Sequence, residues 1–385
     1  MKGTRRRIRL ILSFDHELSL GGTESFAYNL FEPTNELFRV ADELSLPTAL
    51  FTDVLCAMRY EEWDRSGFFE PYRRQIGEAL RRGHDVQLHI HPHWVDSTYE
   101  HGTYRPSRHF ALSDFENAAP PDDIAGIIDR SHDFLTTLCR EADPAYRCVA
   151  YRAGGHNLAP ATAAILSALY EKGVRIDSSI VKGFRFHSGI SAVDMTNMPA
   201  APNWTIPVGG PLNANGDHGL YEIPVAAKPR TPLNNLPFLV NRVRHRARAH
   251  DPRGPSIHAA HTPLIQKLGR MFPRSAWALS FDDAAHSTDD VLDIFRAHVR
   301  AHGDAEQIVC AAVSHPKSMG AYAFSLMRHF VEGARREFGD ALEFTTYRDV
   351  YNDLSSQRPG LNGRSQPGPG FATVTGNGDA PARHT

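Results

Sequence analysis

The chain has 385 residues, 41% of them hydrophobic and 22% charged, with 42 Lys and Arg against 44 Asp and Glu. This is an ordinary globular composition with enough core for one large domain or two smaller ones, which excludes a low-complexity or fibrous chain. A formal net charge of −2 provides no field to gather nucleic acid or an acidic membrane, so no nucleic-acid partner is expected.

The opening MKGTRRRIRLILSFD begins like the basic part of a signal peptide. Its apolar run is broken by Arg9 and stops at Asp15, too short for such a segment, and reads instead as a first strand. No stretch reaches the length of a transmembrane helix. Cys56, Cys139, Cys148 and Cys310 are scattered with no CxxC pair, as free buried thiols in a reducing compartment would be. Together these predict a cytoplasmic protein.

Short apolar runs then alternate with amphipathic segments. Strands are expected over 8–14, 48–53, 85–89, 148–151, 174–177, 308–314 and 342–345, and helices over 35–44, 69–82, 127–140, 160–172, 289–301 and 321–338. Glycine ends two of the helices just before a strand, at Gly83 and Gly173, the usual helix-to-strand junction. Six or seven such units predict an α/β architecture with parallel strands, a barrel or distorted barrel more than an open sheet. One domain is expected over 1–354. It is interrupted at about 228–275 by a basic, Pro- and His-rich insertion around NRVRHRARAHDPRGP, which lacks the interleaved aromatic residues of a nucleic-acid patch. Residues 355–385 read as a disordered tail by composition.

Polar clusters fall at the ends of the apolar runs, and in α/β folds ligands bind at the carboxyl edge of the sheet. The first run stops on Asp15-His16-Glu17. The third leads into His89-Ile90-His91-Pro92-His93-Trp94. With 21 histidines in the chain a lone imidazole says little, but three in five residues at a strand end point to a metal. A helical turn after His89 would put His89 and His93 on one face, whereas an extended chain would point all three the same way. Tyr151-Arg152-Ala153-Gly154-Gly155-His156 offers a carboxylate-binding guanidinium and two glycines that let backbone approach a ligand. Asp177-Ser178-Ser179 closes another strand, and Val313-Ser314-His315-Pro316-Lys317 ends a later one on a candidate general acid or base.

In this order the motifs resemble the polysaccharide deacetylase family, the NodB-homology type with a distorted (β/α) barrel, over roughly residues 8 to 350. Ser13-Phe14-Asp15-His16 resembles the family's Phe-Asp-Asp strand end. Residues 83–93 resemble its Gly-His-x-(apolar)-x-x-His-x-x-x-His segment, and Arg152-Ala153-Gly154-Gly155 its Arg-x-x-Gly. The resemblance implies a hydrolase in which a divalent metal, usually zinc, is held by Asp15, His89 and His93, with His16, Glu17 and His91 as further candidates. Water on that metal would attack the acyl carbon of an N-acetyl or O-acetyl sugar or glycan intermediate, with Asp15, Arg152 and His315 catalytic and Gly154, Gly155, Trp94 and Asp177 at the substrate. It also leaves room for hydrolysis of another C–N bond, or for a binding protein that lost catalysis.

One departure keeps the assignment open. Where the family has a second aspartate, this chain has His16, then Glu17. Either Asp15 is the base with His16 or Glu17 as ligand, or Asp15 is the ligand, which its short reach favours, and the base is lost, or the metal site is altered. Leu279-Ser280-Phe281-Asp282-Asp283 matches the first motif better by letters, but its late position favours residues 12–15. Ser287 or Thr288 with Asp289-Asp290 reads there as a helix cap.

Overall fold

The computed structural model describes residues 6–20, 25–188, 191–231, 240, 275–282 and 286–357. Most of the expected insertion at 228–275 lies outside them, as do residues 358–385 of the expected tail. The first three tail residues belong instead to the helix Tyr347–Gln357. Its apolar stripe, Tyr347, Val350, Tyr351 and Leu354, packs on a core cluster, and that 3.6-residue period carries the helix past Ser355.

A nine-stranded sheet runs in the order Trp204–Pro207, Gly219–Glu222, Ile176–Asp177, Ala150–Ala153, Asp85–Ile90, Ala49–Asp53, Arg7–His16, Gln307–Ser314, with Leu342–Phe344 also on Arg7–His16. All pairings are parallel except that of Trp204–Pro207 with Gly219–Glu222. The two sides of the sheet meet through one residue. Val225 forms parallel bridges to both Val181 and Ala311, with Ala226 N–H donating to Ala311 O at 2.8 Å and Ala311 N–H to Pro224 O at 3.0 Å. The result is the distorted α/β barrel.

Helices cover the outside because each buries one apolar stripe. Glu70–Arg81 buries Tyr72, Ile76 and Ala79, and Ile124–Arg140 buries Ile127, Ile128, Leu135 and Leu138. Thr288–Ala301 starts as expected, with Ser287 at the cap in a reciprocal hydrogen-bonded pair with Asp290. A helix not expected from the sequence, Val54–Trp63, continues directly from Asp53. All four cysteines are free and buried. No helix among the described residues is long and apolar enough to cross a membrane.

Two strands run past their expected ends, and this shapes the site. The first extends through His16, and the third through Ile90. Side chains alternate along a strand, so Asp15 and Glu17 share one face while His16 takes the other, and His89 shares a face with His91.

Candidate active site

Arg152 is the anchor. Its side chain is 0% exposed, with Nη1 donating to Asp15 Oδ1 at 2.6 Å, Nη2 to Ser13 Oγ at 2.7 Å and Nε to the Ser178 carbonyl at 3.0 Å. The Phe51 ring lies 4.2 Å beneath the guanidinium. Burial alone would raise the Asp15 carboxyl, but Arg152, His89 and His315 hold it below the usual range. Asp15 is therefore an anion with one oxygen tethered. The other, Oδ2, lies 3.6 Å from His315 Nε2 and 3.9 Å from His89 Nε2.

Among the described residues, the group of metal-binding side chains whose ligand atoms all lie within 4.8 Å of one another is Glu17, His89 and His91. Glu17 Oε2 is 3.2 Å from His89 Nε2 and touches His91 Nε2. His89 Nδ1–H donates to the Arg152 carbonyl at 2.8 Å, the backbone anchor that presents the opposite nitrogen of a metal-binding histidine. His91 Nε2 is buried and makes no hydrogen bond despite its contact with Glu17. Two imidazole nitrogens and a carboxylate oxygen, one nitrogen otherwise orphaned, are a donor set that fits a zinc-like divalent cation.

Of the expected set Asp15, His89 and His93 this group holds His89, joined by the further candidates Glu17 and His91. Asp15 and His93 lie outside the group. The chain is extended through His91 and turns only at Pro92–Trp94, so spacing of two, not four, selects the histidine pair. His93 is buried against Trp94 and Phe110 with neither nitrogen hydrogen-bonded. His16, on the opposite face, sits 2.9 Å from both Thr52 Oγ1 and Gln75 Oε1, and burial lowers it to about 4, so it is a neutral core histidine.

Two residues expected at the substrate are buried. Trp94 is fully buried, its indole N–H donating to Asp53 Oδ2 at 2.6 Å. Asp177 is fully buried too, accepting from Ser179 Oγ at 2.8 Å and Ser179 N–H at 3.0 Å. Its other partner is Glu222 on the adjacent strand. Burial, then Asp177 beside it, raises the Glu222 carboxyl well above the ordinary range. A carboxyl with a raised folded-state pKa keeps its proton at pH values where the unfolded chain has released it, so stability falls as pH rises above the ordinary carboxyl range. We expect Glu222→Gln to flatten the decline in melting temperature between about pH 5 and about pH 8. A decline as steep as in the unsubstituted protein would show that this pair does not cause it.

His315 lies across from Asp15. Its backbone N–H and its Nδ1–H both donate to Asp282 Oδ2, at 2.9 and 2.6 Å. Burial opposes the imidazolium, yet Asp282, Asp15 and Glu17 together raise His315 to about 9. Asp282 belongs to the late Leu-Ser-Phe-Asp-Asp stretch that motif order set aside. Asp282 stands beside His315 because Phe281 N–H donates to Ser314 Oγ at 2.8 Å and ties the segment to the end of the strand Gln307–Ser314.

Asp53 was not singled out, and His156 and Lys317 stood in the strand-end stretches without a role. Asp53 ends its strand opposite His89 with Oδ1 buried and unbonded, a signal of the same kind as Asp15. Lys317 donates to Glu17 Oε1 at 2.7 Å. His156 follows Gly155 in a left-handed turn (φ +62° and +59°) and donates Nδ1–H to the Ser179 carbonyl at 2.8 Å. Gly154 has a defined task. A Cβ there would lie 2.6 Å from Ile90 O and 2.7 Å from His91 Nδ1, so only glycine leaves His91 its place. Gly154→Ala should weaken zinc binding roughly tenfold or more, as loss of support behind a ligand does; unchanged affinity by chelator competition would refute this.

No protein-family model matches the chain, and no curated protein does. Solved structures do. A Mycobacterium smegmatis protein assigned as a polysaccharide deacetylase is 14% identical, covers 96% of this chain and 97% of its own, and superposes with a TM-score of 0.51. The fold is that of a polysaccharide deacetylase. The Puue allantoinase is 12% identical, with 93% of each chain covered and a TM-score of 0.46. A Pseudomonas aeruginosa PAO1 protein with the deacetylase assignment is 12% identical, covering 92% and 93%, at 0.43. At these identities the likeness concerns the deacetylase fold; function has to be argued from the side chains.

Proposed function

We propose that the protein is a divalent-metal hydrolase, zinc being the metal its donors suit, that removes an acetyl group from the nitrogen or oxygen of an acetylated sugar or glycan intermediate. The observation that carries this reading is the convergence of Glu17, His89 and His91 beside a tethered carboxylate, Asp15, and a carboxylate-backed imidazole, His315. Glu17, His89 and His91 would hold the cation, which when bound polarises an acyl oxygen and lowers the pKa of water toward neutrality.

The chain's own groups supply the proton transfers. Asp15 is kept anionic by Arg152, and its free Oδ2 takes the proton from the attacking water. His315, with Nδ1–H engaged by Asp282, presents Nε2–H to the leaving nitrogen or oxygen. Acceptor and donor face each other across 3.6 Å, so a scissile bond lodged beside them meets a base on one side and an acid on the other. The exposed turn at Gly155 is where substrate would meet backbone.

The test is elemental analysis of the purified protein with an acetate-release assay on N- and O-acetylated sugars. His89→Ala should lose both bound metal and acetate release. Turnover that survives the loss of metal would sink the proposal.

A further inference from the structure

The proton transfers above leave one charged residue of the site without a task. Lys317 lies in the turn after the strand Gln307–Ser314. Its ammonium donates to Glu17 Oε1 at 2.7 Å and to the Leu18 carbonyl at 3.2 Å. The Lys317 side chain is 18% exposed and that of Glu17 8%, so the pair is largely shielded, unlike a surface ion pair. Glu17 turns its other oxygen, Oε2, to His89 and His91. One carboxylate thus stands between a fixed monovalent cation and the two nitrogens that complete the metal-binding group.

Charges separated by a single carboxylate in a place with little water repel one another with weak screening. A dication on Oε2 would meet that repulsion. In its absence the ammonium is the nearest charge that balances Glu17, whose Oε1 has His315 Nε2 farther off at 3.7 Å. We propose that Lys317 is a built-in competitor of the metal: it balances Glu17 in the cation-free protein and lowers the affinity for a divalent ion, so that occupancy follows the ambient supply of metal. This rests on the metal-binding reading of Glu17, His89 and His91.

Zinc binding alone is the readout. The whole chain, stripped with a chelator, is titrated with Zn2+ against a chromophoric competitor, alongside Lys317→Met, Lys317→Gln and Lys317→Arg. The two neutral variants should bind zinc roughly ten- to a thousandfold more tightly, the range over which one adjacent unit charge shifts an equilibrium. Lys317→Arg should stay within a few-fold of the unsubstituted protein. Adding His91→Ala should remove binding in every background, which places the ion. Metal-free Lys317→Met should also melt lower and recover on adding zinc; if it does not fold, Lys317→Gln gives the affinity. Equal affinity in the unsubstituted protein and both neutral variants overturns the competitor role and leaves the metal reading standing. No zinc in any of them overturns both.

Discussion

Asp15→Asn should bind as much zinc as the unsubstituted protein and release acetate roughly a hundred- to ten-thousandfold more slowly, the usual contribution of a positioned general base. The amide keeps an oxygen for Arg152 but can no longer take a proton from water. Glu17→Gln should lose the metal as well as the activity, because Glu17 supplies the carboxylate oxygen of the group with His89 and His91. Metal content measured on the two variants side by side separates the roles. Should Asp15→Asn lose zinc while Glu17→Gln keeps it, the aspartate is the ligand, and the division of labour drawn from the geometry is reversed.

Arg152→Met should be the most destabilising substitution in the site, by about 3–5 kcal/mol, the cost of stripping one partner from a buried ion pair. Methionine fills similar space over Phe51 but leaves the Asp15 carboxylate uncompensated, and the Ser178 carbonyl and Ser13 hydroxyl lose a donor. A fall in melting temperature on the order of ten degrees is expected. Replacing both partners, Asp15→Leu with Arg152→Met, should recover much of it, because no unpaired charge then remains inside. A double variant no more stable than Arg152→Met would show that the loss comes from packing and not from the stranded carboxylate.

The α/β barrel was legible because its strands are continuous apolar runs and its helices carry one apolar stripe each, patterns that survive without knowing what packs on what. Strand ends were legible only to within two residues, and here two residues decide chemistry. Reading the first strand as ending at Phe14 left Asp15, His16 and Glu17 all available to a ligand, while its real extent through His16 sends the imidazole into the core between Thr52 and Gln75. Spacing left a helical and an extended continuation after His89 open and the register of the family motif paired it with His93, while one more extended step places it with His91. Asp282 was visible in the letters but not in its place, since hydrogen bonds from Val313 to Leu279 and from Phe281 to Ser314 bring it behind His315. Lys317 lacked even that signal, because a lysine after a proline is ordinary surface sequence until Glu17 is found beside it. Asp177 and Trp94, expected at the substrate, are buried: polar and aromatic residues at strand ends also build cores, and nothing in the spacing tells the two uses apart.

The seam at Val225 bears on how the molecule breathes. Everywhere else around the ring, neighbouring strands are joined by ladders of two or more residue pairs; at the seam a single residue is bridged to Val181 on one side and Ala311 on the other. Ala311 lies on the same strand that leads to His315. Amide hydrogens of Ala226 and Ala311 should therefore exchange with solvent deuterium sooner than those in the middle of Asp85–Ile90, since local opening begins where the fewest bonds must part. Parting there would open the ring without unseating the proton donor, because the strand Gln307–Ser314 stays joined by eight residue pairs to Arg7–His16, the strand that leads to Glu17.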